Sequence, residues 1–171
     1  MTPGRDDGAG DEGPERTPDG RYIVVDGRRW RASDPAIPDA LRAELVAELM
    51  RARRFVRTRG DEVRPFVHDA KVALGERGPE WWEPTEAGCR DRLAAAIRTL
   101  LRHRESSTIC PSDAARIVGG EEWRDLMPIA REVAADLAGD GVVRVLSKGE
   151  EVDPAAARGP IRLAGGPALE R

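Results

Sequence analysis

The segment Ser107–Gly120, STICPSDAARIVGG, decides how the second half of the chain is read. It holds one of two cysteines, a proline directly after it, a Ser-Asp pair and a Gly-Gly. On one reading Cys110 is a reactive thiol at a helix tip. On the other, the stretch is the first short helix of a helix-turn-helix. Pro111 suits a first helical turn, Ser112 and Asp113 bring acceptors and negative charge to the positive end, and Gly119-Gly120 close the helix. A nucleophilic thiol also needs a base. The histidines are His68 and His103, and His103 falls seven residues back on a different predicted helix. Free cysteine usually packs as a small hydrophobe. The helix-turn-helix reading is therefore preferred, with Cys110 a small buried residue beside Ile109. No enzyme is expected; a thiol-dependent enzyme using Cys110 is the third alternative.

Outward from this stretch the pattern extends on both sides. Upstream, CRDRLAAAIRTLLRHR reads as a helix with Leu93, Ile97, Leu100 and Leu101 inward. Downstream, EEWRDLM allows one or two turns. A helix then starts at Pro128, with Ile129, Ala130, Val133, Ala134 and Leu137 on its inner face. VVRVLSKG is a strand and turn, and Ile161–Leu163 returns as a second strand after a loop. Helix, short helix, turn, helix, strand, loop, strand is the order of a winged helix-turn-helix.

Before it, RYIVVDGRRWRAS holds two short extended runs around Asp26-Gly27, a type I′ hairpin signal. A helix follows from about Asp39, with Leu41, Leu45, Leu49, Ala52 and Val56 on one face and Gly60 at its end. A second runs from about Pro65 to Leu74, burying Phe66, Val67, Ala70 and Leu74. Trp81-Trp82 are expected to fold back as a lid. Residues 1–20 carry two arginines against six acids with almost nothing apolar, which predicts a disordered acidic tail. The expected division is a tail (1–20), a β-hairpin plus helical-hairpin module (21–83), a winged helix-turn-helix (84–166) and a short tail (167–171). The class is α+β, mainly α.

The totals agree with a soluble globular chain of 171 residues, 40% hydrophobic and 35% charged. Apolar runs are too short to span a bilayer, and the start lacks a basic-then-apolar export pattern. Cytoplasmic localisation and no membrane partner are expected. Of the basic residues 26 are arginine, and Lys71 and Lys148 are the two lysines. With abundant Ala, Gly and Pro, this reflects GC-rich coding bias more than selection for guanidinium chemistry.

The motifs ICPSDAAR, WRDLMP, VDP and ARGPIRL resemble a bacterial winged-helix-like family known as a domain of unknown function (number three-two-five-three), over roughly Cys89–Leu163. RRWRASDPAIPDALRAELVAELM and DAKVALGERGPEWW resemble short proteins labelled biopolymer transporter Tol. The first resemblance implies the winged-helix fold; neither implies an activity or catalytic residues.

A winged helix docks its third helix in the major groove and touches the backbone with its wing. Arg144, Lys148, Arg158 and Arg162 lie on or near the wing, and Arg116 and Arg124 flank the turn. Arg131 is on the third helix, beside Glu132, Ala135 and Asp136. Residues 89–166 hold 12 basic and 12 acidic side chains, a net of zero, where DNA-binding domains usually show a basic excess. In RARRFVRTR, Arg51 and Arg54 share one helix side as a second candidate phosphate patch. Arg158 has a competing structural reading, a pair with an acid such as Asp153. Cys89, His103, Cys110 and His68 lack paired ligand spacing, so neither a metal nor a cofactor is expected. The leading expectation is weak or accessory binding of a DNA or RNA backbone, with a regulatory role. The alternative is a winged helix that meets a protein partner or a second copy.

Overall fold

A computed structural model of the chain describes residues 13–171. Most of the expected acidic tail, 1–12, lies outside the described residues. Over 13–20 the expectation is corrected. Glu15–Arg16 form strand β1, antiparallel to β2 (Tyr22–Val25), with Glu15 opposite Val24 and Arg16 opposite Ile23. A turn makes this pairing: the Gly20 N–H donates to the Thr17 carbonyl at 2.8 Å, and Asp19 accepts from the Thr17 hydroxyl at 2.6 Å. A strand of two residues has no alternation to read in a sequence. β3 (Arg28–Arg31) completes the sheet in the order β1-β2-β3. Asp26 and Gly27 both have positive φ, 51° and 74°, as the type I′ turn requires.

The chain divides into two compact units between Ala32 and Ser33, and this sheet lies in the first. The second is mainly helical. It contains α1 (Asp39–Arg59), α2 (Arg64–Leu74), α3 (Glu86–His103), α4 (Pro111–Gly119), α5 (Met127–Gly139), β4 (Val143–Ser147), β5 (Glu150–Glu151) and β6 (Arg162–Gly165). Short 3₁₀ turns precede α2 and α5. The chain is α+β and mainly α, as its periodicities imply.

The division expected near residue 84 is not where the chain divides. One apolar cluster runs from Ile37 and Leu41 through Ala70, Leu93 and Ile117 to Leu163 and Leu169. α3 is the reason. It buries Leu93, Ile97, Leu100 and Leu101, but also Ala95, Thr99, Arg92 and Arg102 on other sides. A helix buried nearly all round must be covered by neighbours on several faces, so α1 and α2 pack against it along with α4 and α5. Residues 167–171 are likewise not a free tail. Leu169 is in the core, Arg102 Nε donates to the Glu170 carbonyl at 3.0 Å, and Arg59 donates to the Arg171 carbonyl at 2.9 Å. Gly166 runs so close to Gly141 that a Cβ there would collide with the Gly141 carbonyl oxygen.

The small sheet has the order β5-β4-β6. β4 and β5 join through Lys148-Gly149, with φ 51° and 84°, another two-residue turn. Ile109 bridges Leu163 through two backbone hydrogen bonds of 2.9 and 2.8 Å. This ties the segment between α3 and α4 onto β6.

Charge is built into the core. Asp69, 5% exposed, accepts from Arg98 at 2.7 and 3.0 Å and from Arg102 at 2.6 Å. The Arg102 guanidinium also sits 4.2 Å from the centre of the Phe66 ring. Arg92 donates to Asp34 and to the Ala73 carbonyl, both at 3.1 Å. A buried guanidinium left without its carboxylate costs far more than an exposed pair contributes. Asp69→Ala should therefore lower stability by about 3–5 kcal/mol, read as a lower urea midpoint. Asp61→Ala, which breaks a pair with Arg64 exposed at 70% and 81%, should cost less than about 1 kcal/mol in the same measurement.

Candidate functional site

α4 opens with a reciprocal arrangement around Cys110. The Cys110 N–H donates to Asp113 Oδ2 at 3.0 Å, and Arg162 Nη1 reaches Cys110 Sγ at 2.8 Å. The thiol is half-buried rather than fully buried, and its side-chain partner is a guanidinium rather than a neighbouring histidine. Asp113 also accepts from Arg104 at 3.1 Å, and Arg104 clasps Glu44 of α1 with two hydrogen bonds of 2.8 and 2.9 Å. These contacts fix the start of α4 against α1 and β6. α4 in turn carries Arg116, and the 3₁₀ turn after it carries Trp123 and Arg124.

Arg116 and Arg124 both stack on the Trp123 ring, with guanidinium carbons 4.6 and 4.5 Å from its centre. Both arginines are exposed, and Trp123 is half-buried against the core. Stacking on an indole fixes a guanidinium plane and leaves its N–H edges available to an anion. The sequence marked both arginines but gave Trp123 no role. The only signal was an aromatic next to one of them. The stacking joins residues eight positions apart across a helix end, which no single periodicity describes.

The remaining predicted residues divide by what their donors already hold. Arg51 grips Glu48 at 2.9 and 3.0 Å, Glu105 at 3.1 Å and the Arg102 carbonyl at 3.0 Å, so it is an internal clamp rather than a phosphate contact. Arg162 binds the Thr108 hydroxyl at 2.9 Å and the Thr108 carbonyl at 3.1 Å besides Cys110, so its donors fasten β6 rather than waiting for an outside anion. Arg131 turns to the carbonyls of Gly159 and Ala157, at 3.1 and 3.4 Å, and secures the loop before β6. Arg144 is exposed and donates to the Gly165 carbonyl at 3.2 Å. Lys148 is exposed at the β4–β5 turn, flanked by Glu150 and Glu151. Arg158 and Arg54 are exposed, and among the described residues neither takes part in an ion pair. Asp153 does not hold Arg158: its carboxylate caps its own turn, accepting from the Ala155 N–H at 2.9 Å.

On α5, Glu132 pairs with Arg90 of α3, and Asp136 and Asp140 are exposed. Between α5 and the β4–β5 hairpin lies a groove of about 580 Å³ lined by Ala135, Ala138, Val143, Val152 and Pro154 together with Arg144, Glu151 and Asp153. Trp81 and Trp82 meet edge-to-face, 5.2 Å apart, and line a second hollow with Pro35 and Leu126 rather than closing over one. Among the described residues no group of three or more His, Cys, Asp or Glu side chains could hold a metal ion, and no helix is long and apolar enough to cross a membrane.

A protein-family model matches residues 90–165, from α3 to β6, and its description is Protein of unknown function (DUF3253). No curated protein matches the chain.

Charge linkage at the base of α4 is testable. The hydrogen bonds from Arg104 hold the Glu44 carboxyl below its ordinary 4.5. A carboxylate with a depressed folded-state value stabilises the fold fully above the unfolded value and loses that contribution as pH falls through the folded one. The melting-temperature gap between the native chain and Glu44→Gln should be widest above about pH 5 and close as pH drops below about 4. A gap independent of pH would exclude the linkage.

Proposed function

We propose, for a chain whose 90–165 segment is a member of that family, that α3 to β6 form a winged helix-turn-helix module that binds nucleic-acid backbone in the cytoplasm, weakly and in an accessory, regulatory role. Three helices, a strand pair returning as β4–β6 and the bridge at Ile109 are consistent with that architecture. The observation that carries the reading is the Arg116–Trp123–Arg124 stack, two exposed cations fixed on one ring at the helix-turn. Phosphate is the anion that planar, preoriented guanidinium groups suit. Lys148 and Arg158 supply further cations on the hairpin and the loop after it.

Two features set the strength and kind of binding. Glu121, Glu122 and Asp125 share the turn with the stacked arginines, and Glu150 and Glu151 adjoin Lys148. Carboxylates beside the cations repel a polyanion, so affinity is low, and with few phosphate contacts its salt slope is shallow. The outer face of α5 offers Ala135 and Asp136 where base-reading arginine or asparagine would stand, so contact is with backbone rather than sequence.

A second reading has its own support. The groove beside α5 sets the apolar Ala135, Ala138, Val143, Val152 and Pro154 against the charged Arg144, Glu151 and Asp153. That suits a protein partner or a second copy. Ala135→Arg would then abolish association in light scattering while leaving nucleic-acid binding intact.

The backbone reading predicts measurable binding of a fluorescent duplex at low salt, similar for unrelated sequences. Arg116→Ala with Arg124→Ala should weaken it for all of them and reduce the slope of log K against log salt by about 2. Arg162→Ala should lower the melting temperature instead, because it releases three internal hydrogen bonds. Absence of duplex binding at low salt, or an unchanged slope in the double variant, would remove the proposal.

A further inference from the structure

In the sheet of the first unit, residues directly opposite one another point to the same face. Ile23 opposes both Arg16 and Trp30, and Val25 opposes Arg28. One face therefore carries Arg16, Ile23, Val25, Arg28 and Trp30. Trp30 is 44% exposed and Val25 41%, and both arginines are exposed. The Arg28 guanidinium sits 4.6 Å from the centre of the Trp30 ring. The strands put no carboxylate on this face. Glu15 opposes Val24 and so points to the other side, and Asp26 is in the turn.

An indole, two aliphatic side chains and two guanidinium groups together ask for a ligand with flat apolar faces and regularly placed anions. A folded protein surface rarely supplies both in one strip. A duplex supplies the anions but hides its base faces in the stack. Single-stranded nucleic acid presents both, and aromatic side chains on an exposed sheet beside arginines are how such strands are held without base-edge readout. Arg28 lies two residues along the strand from Trp30, about 6.6 Å, and Arg16 two strand spacings across, about 9.6 Å. Those positions bracket a base stacked on Trp30.

We propose that this sheet face binds single-stranded DNA or RNA, with an unpaired base stacked on Trp30 and the flanking phosphates paired with Arg28 and Arg16. Both the surface and the ligand differ from the duplex contact assigned to residues 86–165, so either stands if the other fails.

The test titrates the full chain with a labelled oligothymidylate of about 12 nucleotides, within the span such platforms occupy. Trp30→Ala should weaken binding about tenfold or more, and Trp30→Phe should retain most of it. Arg28→Ala should lower the salt slope by about 1. Duplex binding should be unchanged in all three variants. Photocrosslinking of the oligothymidylate to the native chain should map to the peptide containing Trp30, which keeps the test decisive if a variant fails to fold. Equal affinity of the native chain and Trp30→Ala overturns the proposal, as does a crosslink confined to residues 86–165. Concentration-dependent self-association that vanishes in Trp30→Ala also overturns it, because the face would then be a protein contact.

Discussion

Asp69 accepts hydrogen bonds from Arg98 and Arg102 beneath the ring of Phe66, and the helical unit is organised around that buried carboxylate. Moving ions out of water is expensive, and the cost is offset only when every charge finds a partner in good geometry. Two guanidinium groups one helical turn apart on α3 can both reach one carboxylate on α2 only at a single rotation and height of α3. The Arg102 Nε bond to the Glu170 carbonyl then draws the C-terminal residues onto the same helix. Arg92 repeats the device toward the other end of α3, joining Asp34 to the Ala73 carbonyl in the last turn of α2. Apolar packing alone would tolerate a small slide of α3. These pairs do not.

The same internal demand sorts the arginines. Composition offers 26 of them, which resembles a polyanion-binding surface until their partners are traced. Arg51, Arg92, Arg98, Arg102 and Arg104 answer carboxylates within the helical unit. Arg131 and Arg162 answer carbonyls, a hydroxyl and a thiol that hold loops in place. Among the described residues, those whose donors no internal acceptor holds include Arg116 and Arg124 on Trp123, Lys148, Arg158, Arg53, Arg54 and Arg57 on α1, and Arg16 and Arg28 of the N-terminal sheet. An arginine already in a bidentate pair would have to break it to bind phosphate, whereas one resting on an indole need not move.

Local signals in the sequence were read where the physics is local. Asp39 begins α1, Pro111 and Gly119 bound α4, and Asp26-Gly27 makes its turn, because each depends on backbone preferences of a few residues. Long-range pairing was not legible. The two-residue β1 exists through partners across a turn, and Leu169 is buried because α3 has a side left to cover. The boundary placed near residue 84 failed for a related cause. EPTEAG looks like a linker, yet Thr85 is the N-cap of α3, accepting from the Gly88 N–H at 3.0 Å, and the helix it starts is the centre of the core rather than the edge of a new one. Of the nine basic residues named for the site, seven stay exposed, but Arg144 and Arg162 spend donors on internal acceptors, as the half-buried Arg51 and Arg131 do. The others were indistinguishable from them in sequence, because an arginine's partner is set by the fold.

Cys110 shows how position fixes chemistry here. Its backbone N–H is taken by Asp113, Asp113 by Arg104, Arg104 by Glu44, and its sulfur by Arg162. That chain runs from α1 through the start of α4 to β6, and it sets where the far end of α4 emerges. Arg116 is the exposed residue of the second half of α4, six positions from Cys110, and meets Trp123 only because the Gly119-Gly120 break turns the chain back. A Cβ on Gly120 would lie 2.9 Å from Ala36, so the break is also pinned against the segment before α1. The stacked arginines are thus held at both ends by groups that touch no ligand. A preoriented pair loses little freedom on meeting an anion, so even a contact weakened by nearby carboxylates keeps a defined geometry.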